Sequence, residues 1–308
     1  MTVISAMKFS PEKGAIISDE QSSTYYRKYD IAQKIHTFKV KGVSAAIGGS
    51  GNADFLYKIR FLAKKKFDEE RVNGDYDSYN FISNFGSIIN YAKEETLNGL
   101  MIGNYNITLK QFQTGMIEST PINPQIHQQM MQGVNEMNKQ LNSGILCLTY
   151  DGSTEIYLVG SDSISPRPVA RPYECIGSGS DLADPELLDF VKRIPRDQRN
   201  DIDPVDGLTA LLLSTQRATE LNTGVGGTPY LCFMDKHNLI TPDSQSIAVA
   251  GHVVKGLKGQ YLPKEFCKEA IQTLLIDNEG LDSARQVRKD MERAATDRDG
   301  LIGYLLGE

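Results

Sequence analysis

Met1-Thr2-Val3-Ile4-Ser5-Ala6-Met7, then the turn Pro11-Glu12-Lys13-Gly14, then Ala15-Ile16-Ile17-Ser18-Asp19, read as two successive strands at the start of the chain. The first alternates and is rich in β-branched residues. The second is short and mostly apolar, which predicts burial on both faces. Threonine is small, so removal of Met1 is expected, leaving Thr2 with a free α-amine beside its own hydroxyl. An N-terminal amine has a pKa of about 8, close enough to neutrality to serve as a general base. A hydroxyl with such an amine is a complete nucleophile–base pair. Many chains begin Met-Thr for reasons of synthesis alone, so the assignment depends on the rest of the sequence.

Beyond these strands, Lys34-Ile35-His36-Thr37-Phe38-Lys39-Val40 alternates as a strand, and Gly42 turns it into the small-residue strand Val43–Gly48. Asn52 is placed to cap a helix running to about Arg71, with Phe55, Ile59, Leu62 and Phe67 as its apolar stripe. A second helix is expected from Ser78 to Leu97. Residues 98–142 break the pattern; this Asn-, Gln- and Met-rich stretch is expected to hold a helix from Asn123 to Leu141. Asp151-Gly152, flanked by Gly144–Tyr150 and Thr154–Val159, is the strongest hairpin signal in the chain. Tyr173–Ile176 is a strand, Leu182–Arg193 a helix, and Pro204 opens another helix to Leu221. Tyr230–Met234 and Asn238–Ile240 form a second hairpin. Two helices, 263–276 and 281–295, follow a polar loop. Paired helices between runs of antiparallel strands predict sheets inside and helices outside, not a doubly wound parallel sheet.

The chain has 308 residues, 40% hydrophobic and 23% charged, enough for one large or two small domains with a true core. A net charge of −6 argues against a broad basic face for nucleic acid or anionic membrane. Cys147, Cys175, Cys232 and Cys267 form no CxxC pair and sit in apolar stretches, as buried free thiols in a reducing compartment do. No apolar run approaches the roughly 20 residues of a membrane span, and the start lacks the pattern of a signal peptide. A cytoplasmic protein is the expectation. His36, His127, His237 and His252 show no ligand spacing, so neither metal nor cofactor is expected.

Five ordered pieces resemble a proteasome β-subunit or its bacterial ring-protease relative. They are Thr2 opening the first strand, Gly14-Ala15-Ile16-Ile17-Ser18-Asp19, Ala32-Gln33-Lys34-Ile35, Ala46-Ile47-Gly48-Gly49-Ser50-Gly51-Asn52-Ala53-Asp54, and Tyr173-Glu174-Cys175-Ile176-Gly177-Ser178-Gly179-Ser180. That family belongs to the N-terminal nucleophile hydrolases. The resemblance implies an α+β fold, a four-layer αββα sandwich of two antiparallel sheets flanked by helices. It would occupy residues 1–245, with the insertion at 98–142 and a C-terminal helical extension at 246–308.

The resemblance also implies roles. Thr2 would be the nucleophile and its amine the base. Lys34 would favour the deprotonated amine and the developing alkoxide, and Asp19 would hold Lys34 charged; a plain surface ion pair is the alternative for these two. The backbone N–H of Gly48 would donate to the oxyanion, or Gly48 is simply part of a strand-to-helix turn. Ser178 would bind the amine, or it is a helix N-cap. The family's Asp-x-x-Ser-Gly, which helps hold the amine, is altered here to Thr219-Glu220-Leu221-Asn222-Thr223-Gly224-Val225-Gly226-Gly227. Glu220 with Thr223-Gly224 keeps the chemical types and is the preferred register. Asn222 with Val225-Gly226 is the other, and leaves no hydroxyl. The turn near Ala46 and Ser50 would shape the pocket for the side chain before the cut.

The first functional reading is therefore a threonine-type hydrolase acting on a peptide or protein substrate through an acyl-enzyme, with transfer to an amine as a variant. No propeptide is expected before Thr2. A homo-oligomer is expected, with the insertion and tail altering any stacked rings and a regulatory partner left open. An inactive assembly or scaffold protein of the same fold is the alternative. A nucleotide-binding protein, using the Gly loops at Gly48–Asn52 and Gly177–Ser180, is the third, and neither loop fits a phosphate-binding motif.

Overall fold

The structure is a computed structural model that describes residues 2–20, 22–24, 27–29, 33–70, 76–160 and 165–306. β1 (Ile4–Lys8) and β2 (Lys13–Ser18) pair antiparallel with Ile4 opposite Ser18. The short pair β3 (Ser22–Thr24) and β4 (Arg27–Tyr29) leads to the hairpin of β5 (Ile35–Val40) and β6 (Val43–Ser50). Its turn needs Gly42, which sits at φ 89°. Asn52 caps α1 (Ala53–Glu70) by accepting the Phe55 N–H at 2.9 Å. Then come α2 (Ser78–Tyr105), α3 (Leu109–Thr114), the small ribbon β7 (Met116–Ile117) and β8 (Thr120–Pro121), and α4 (Pro124–Gln140). The expected hairpin around Asp151-Gly152 is β9 (Gly144–Tyr150) and β10 (Thr154–Gly160), with β11 (Arg167–Pro168) on its edge. β12 (Tyr173–Ile176), α5 (Ser180–Arg193), α6 (Pro204–Leu221), β13 (Tyr230–Asp235) and β14 (Asn238–Ile240) follow. Four helices close the chain: α7 (Ser244–Lys258), α8 (Lys264–Ile271), α9 (Leu281–Ala294) and α10 (Arg298–Leu306).

The strands make two antiparallel five-stranded sheets, in the orders β12-β1-β2-β13-β14 and β11-β10-β9-β6-β5. Period-two alternation sorts their side chains. Ile4, Ala6 and Ile16 of the first sheet meet Ala46, Leu146 and Leu148 of the second in the inter-sheet core. Ala15 and Ile17 face the other way, onto α6 and α7, in a core that includes Leu208, Leu211, Ile247 and Val253. Val43, Ala45 and Ile47 face outward onto α1 and α2, against Phe55, Phe81 and Phe85. The four-layer αββα sandwich is thus the observed fold, and the second strand is buried on both faces.

Three expectations about helices are corrected. α2 continues past Leu97, through Gly99 and Gly103, because Leu97 and Met101 are buried on its core side, and it stops at Asn106, which turns left-handed at φ 54°. The polar loop expected after residue 240 is largely α7. Asp243 caps it by accepting the Ser246 N–H at 2.9 Å, and Ile247, Val249, Ala250, Val253 and Val254 bury its inner face. α10 was also not expected, and it docks through Leu301, which is fully buried. The C-terminal helices share one apolar core with α5 and α6. Of the expected first helix, Arg71 lies outside the described residues.

Candidate active site

The start of the chain is fixed at the end of the sandwich by hydrogen bonds on both sides. The Thr2 N–H donates to Ser178 Oγ at 3.1 Å, and the Gly179 N–H donates to the Thr2 carbonyl at 3.0 Å. Val3 exchanges two bonds with Asp19: its N–H reaches Asp19 Oδ1 at 2.8 Å, and its carbonyl accepts the Asp19 N–H at 3.2 Å. Lys34 Nζ binds that same Asp19 oxygen, also at 2.8 Å. Two donors on one oxygen bring the ammonium beside the backbone that carries Thr2. Met1 lies outside the described residues, so the expected trimming concerns a position the structure does not describe.

Asp19 and Lys34 do not form a surface pair: their side chains are 1% and 9% exposed. Burial lowers the Lys34 pKa below the ordinary lysine value and raises that of Asp19, and in each the partner's opposite charge works against the shift. Asp19 Oδ2 also accepts the Gly226 N–H at 3.4 Å. The carboxylate thus gathers donors from Val3, Lys34 and Gly226, which offset much of the cost of burying it.

Ser178 is not a helix cap. Gly179 holds the cap position of α5, and Ser178 turns its hydroxyl to Thr2 instead. Gly177 is required by two constraints. It sits at φ 99°, and a Cβ there would stand 2.2 Å from the Thr2 carbonyl oxygen and 3.1 Å from Ser50 Oγ. Ser50 therefore lies next to Thr2.

Register decides which glycine offers a free edge. The Gly49 N–H donates to the Lys34 carbonyl at a long 3.4 Å, directly after the opposed pair Ile35 and Gly48. Antiparallel partners alternate between bonded and non-bonded pairs. Gly48 therefore aims its N–H at the other neighbour, where Leu146 lies opposite. The absent side chain of Gly48 would strike Ile4 Cγ2 at 2.8 Å, so this glycine permits close packing of the two sheets. Ala46, expected to shape a substrate pocket, is fully buried between the sheets. Both expectations missed because two residues on one strand have opposite orientations whenever their spacing is odd, and sequence alone did not fix the ladder.

The structure does not bring Glu220 to the site. It is an exposed residue near the end of α6, 3.9 Å from Lys258. Asn222, in the register not preferred, lies against the Ser178 loop. Its Nδ2 donates to the Ser178 carbonyl at 3.3 Å and its Oδ1 accepts the Gly224 N–H at 3.1 Å. Thr223 falls within this turn. Val225 is buried with Val3, Ala183 and Ala218. The Glu20 N–H donates to the Gly226 carbonyl at 3.1 Å, tying the turn to the end of β2. The signal that could have found Asn222 was the helix end: the side chain just past the last helical turn is the one free to cap a neighbouring loop.

Cys147, Cys232 and Cys267 are free and buried, and Cys175 is free and half-buried. Burial pushes the Cys175 thiol up to about 12, which leaves it a poor nucleophile at neutral pH. Among the described residues, no helix is long and apolar enough to cross a membrane.

This architecture and the fixed chain start define a class of fold seen in solved structures. The chain is similar to an Anbu (Gly-1) mutant from Hyphomicrobium sp. strain MC1, with a TM-score of 0.57 and 11% identity over 84% of this chain and 96% of that one. It is similar also to Anbu (ancestral beta-subunit) from Yersinia bercovieri, with a TM-score of 0.56 and 14% identity over 84% of this chain and 94% of that one. No family model matches the sequence, and no curated protein matches it. Membership of the proteasome β-subunit family, inferred from the five sequence pieces, is therefore corrected. What is shared with the Anbu proteins is the fold, at an identity too low to carry more.

Proposed function

We propose that the protein is a threonine-type amidohydrolase acting on peptides, with Thr2 as its nucleophile once Met1 is removed. The observation that carries this is the shared Asp19 oxygen: the Val3 N–H and the Lys34 ammonium both lie 2.8 Å from it. A cation seated against the residue after the nucleophile favours a neutral amine and stabilises a developing alkoxide. In the reaction, the Thr2 amine takes the hydroxyl proton as Oγ attacks the scissile carbonyl. The tetrahedral oxyanion collapses, the amine returns the proton to the leaving nitrogen, and an ester remains on Thr2. Water, activated by the same amine, then releases the acid; an incoming amine would give transfer instead. Gly49 is the better donor to the oxyanion, because its N–H lies on the β5 side of β6 just where β5 ends and has only a long bond to give up. Ser178 holds the amine, and Asn222 holds the loop that carries Ser178.

A threonine-directed β-lactone tests this. One adduct per chain on the wild type and none on a folded Thr2→Ala variant support it; equal labelling of the two removes Thr2 from the chemistry. A second reading, an inactive scaffold of the same fold, is favoured by one observation. The turn after α6 carries a buried valine, Val225, and the amide of Asn222 in place of the hydroxyl and acid that the resemblance implies there. A homo-oligomer is also proposed. Tyr57 and Phe61 on α1 and Tyr91 on α2 are 68%, 61% and 58% exposed, aromatic surface that a second copy of the chain would cover.

A further inference from the structure

At the far end of β1 from Thr2, a cleft of about 350 Å³ opens between the two sheets. Its walls are Lys8 from one sheet, Glu155 and Ile156 from the other, the strap 168–172 that joins them, and the turn at Arg199 and Asn200. The volume is within the range of small-ligand sites. The walls are firmly held. The Val169 N–H donates to the Ile156 carbonyl at 2.9 Å, the Lys8 N–H donates to the Pro172 carbonyl at 2.7 Å, and prolines at both ends of the strap limit its motion.

The cations around this cleft differ in how they are compensated. Lys8 Nζ has Glu155 at 3.0 Å. Arg171 is paired with Glu174 and with Asp184, and lies 4.5 Å over the Tyr173 ring. Arg199 has no acidic partner among the described residues. Its Nε donates to the Ile194 carbonyl at 3.2 Å, which orients the guanidinium and leaves the two terminal nitrogens as a fork. The lining is mixed, with Ile156, Val169, Ala170 and Pro172 beside Lys8, Glu155 and Asn200, and a planar anion matches the geometry of the half-buried guanidinium.

We propose that this cleft binds a carboxylate carried on a small apolar body, with Arg199 as its anchor and Val169 and Pro172 against the apolar part. A free organic acid and the C-terminus of a short peptide share that chemistry. Two probes separate them: succinate, and N-acetyl-alanyl-leucine compared with its C-terminal amide. Titration of the full chain by calorimetry is expected to show the free acid binding at least 10-fold tighter than the amide. Arg199→Ala is expected to lower that affinity at least 10-fold, and Arg199→Lys to recover part of it, with circular dichroism verifying the fold of each. Binding of succinate alone assigns the site to a small organic acid. Measurable and equal binding of the peptide acid and its amide, unchanged binding by Arg199→Ala, or no binding of either succinate or the peptide acid overturns the proposal. None of these outcomes depends on Thr2.

Discussion

Two loops meet at the start of the chain, and they hold it by different means. The Gly177–Ser180 loop supplies a hydroxyl to the Thr2 nitrogen and an N–H to its carbonyl, and it can approach so closely only because Gly177 lacks a Cβ. The Asn222–Gly226 turn reaches the site indirectly. It offers an N–H to Asp19, an amide to the Ser178 carbonyl, and a buried valine. The first loop fixes Thr2; the second fixes what surrounds it. Geometry at Thr2 is therefore well determined, while assistance to its amine rests on fewer polar groups. Under the proposed chemistry, slow turnover is the expected consequence.

The contrast between the loops is tested most sharply at Lys34, which shares the Asp19 carboxylate with Val3 and with Gly226 of the second loop. Lys34→Ala leaves Asp19 buried without its cation, which costs about 3–5 kcal/mol, and should reduce β-lactone labelling by roughly 10³-fold. Near wild-type labelling of this variant would mean that Lys34 is purely structural. Gly177→Ala probes the first loop itself. The positive φ and the 2.2 Å approach to the Thr2 carbonyl predict a destabilisation of about 1–3 kcal/mol and a labelling rate down roughly 100-fold. A variant that labels normally would show that this loop does not set the nucleophile.

A pH dependence is expected beside the site. Burial and the nearby Arg60 hold His36, two residues past Lys34, down to about 4. As pH falls below the ordinary value of 6.5, the unfolded chain takes up this proton before the folded one does. Stability contributed by neutral His36 is thus complete above pH 6.5 and is lost progressively towards pH 4, up to about 3 kcal/mol. Denaturant titrations of His36→Gln should show a flatter profile across that window; an unchanged profile would place the acid sensitivity elsewhere. The smallest effect is expected at the second loop's neighbour. Glu220→Ala removes a 3.9 Å exposed pair and should change stability by no more than about 0.5 kcal/mol, with no change in labelling.

Legibility in the sequence followed the strength of local signals. β9 and β10 were readable because Asp151-Gly152 names its own turn and both flanks alternate. α7 was not, because Ser244, Gln245, Gly251 and His252 dilute its apolar stripe to a loop-like composition, and only its packing on α6 shows it as a helix. The layering of helices outside sheets was readable from paired helices between runs of antiparallel strands, and its four-layer αββα form was implied by a resemblance of ordered motifs. Asp19 and Lys34 were named by that resemblance too, since nothing in their spacing separates a buried pair from a surface one. The placing of Gly48 and Gly49, and of Glu220 and Asn222, follows from strand register and from the point where a helix ends. Both are tertiary facts that a residue's chemical type does not encode.

The proposed chemistry requires that Thr2 become the chain's first residue and carry a nucleophilic hydroxyl at a site fixed by Ser178, Asp19 and Lys34. Intact-mass measurement with N-terminal sequencing, on protein purified from its own cells and treated with a β-lactone, decides the matter. The expected product is a chain that begins at Thr2 and bears one adduct on that residue. A mature chain that keeps Met1, or an adduct on another residue, would refute the assignment.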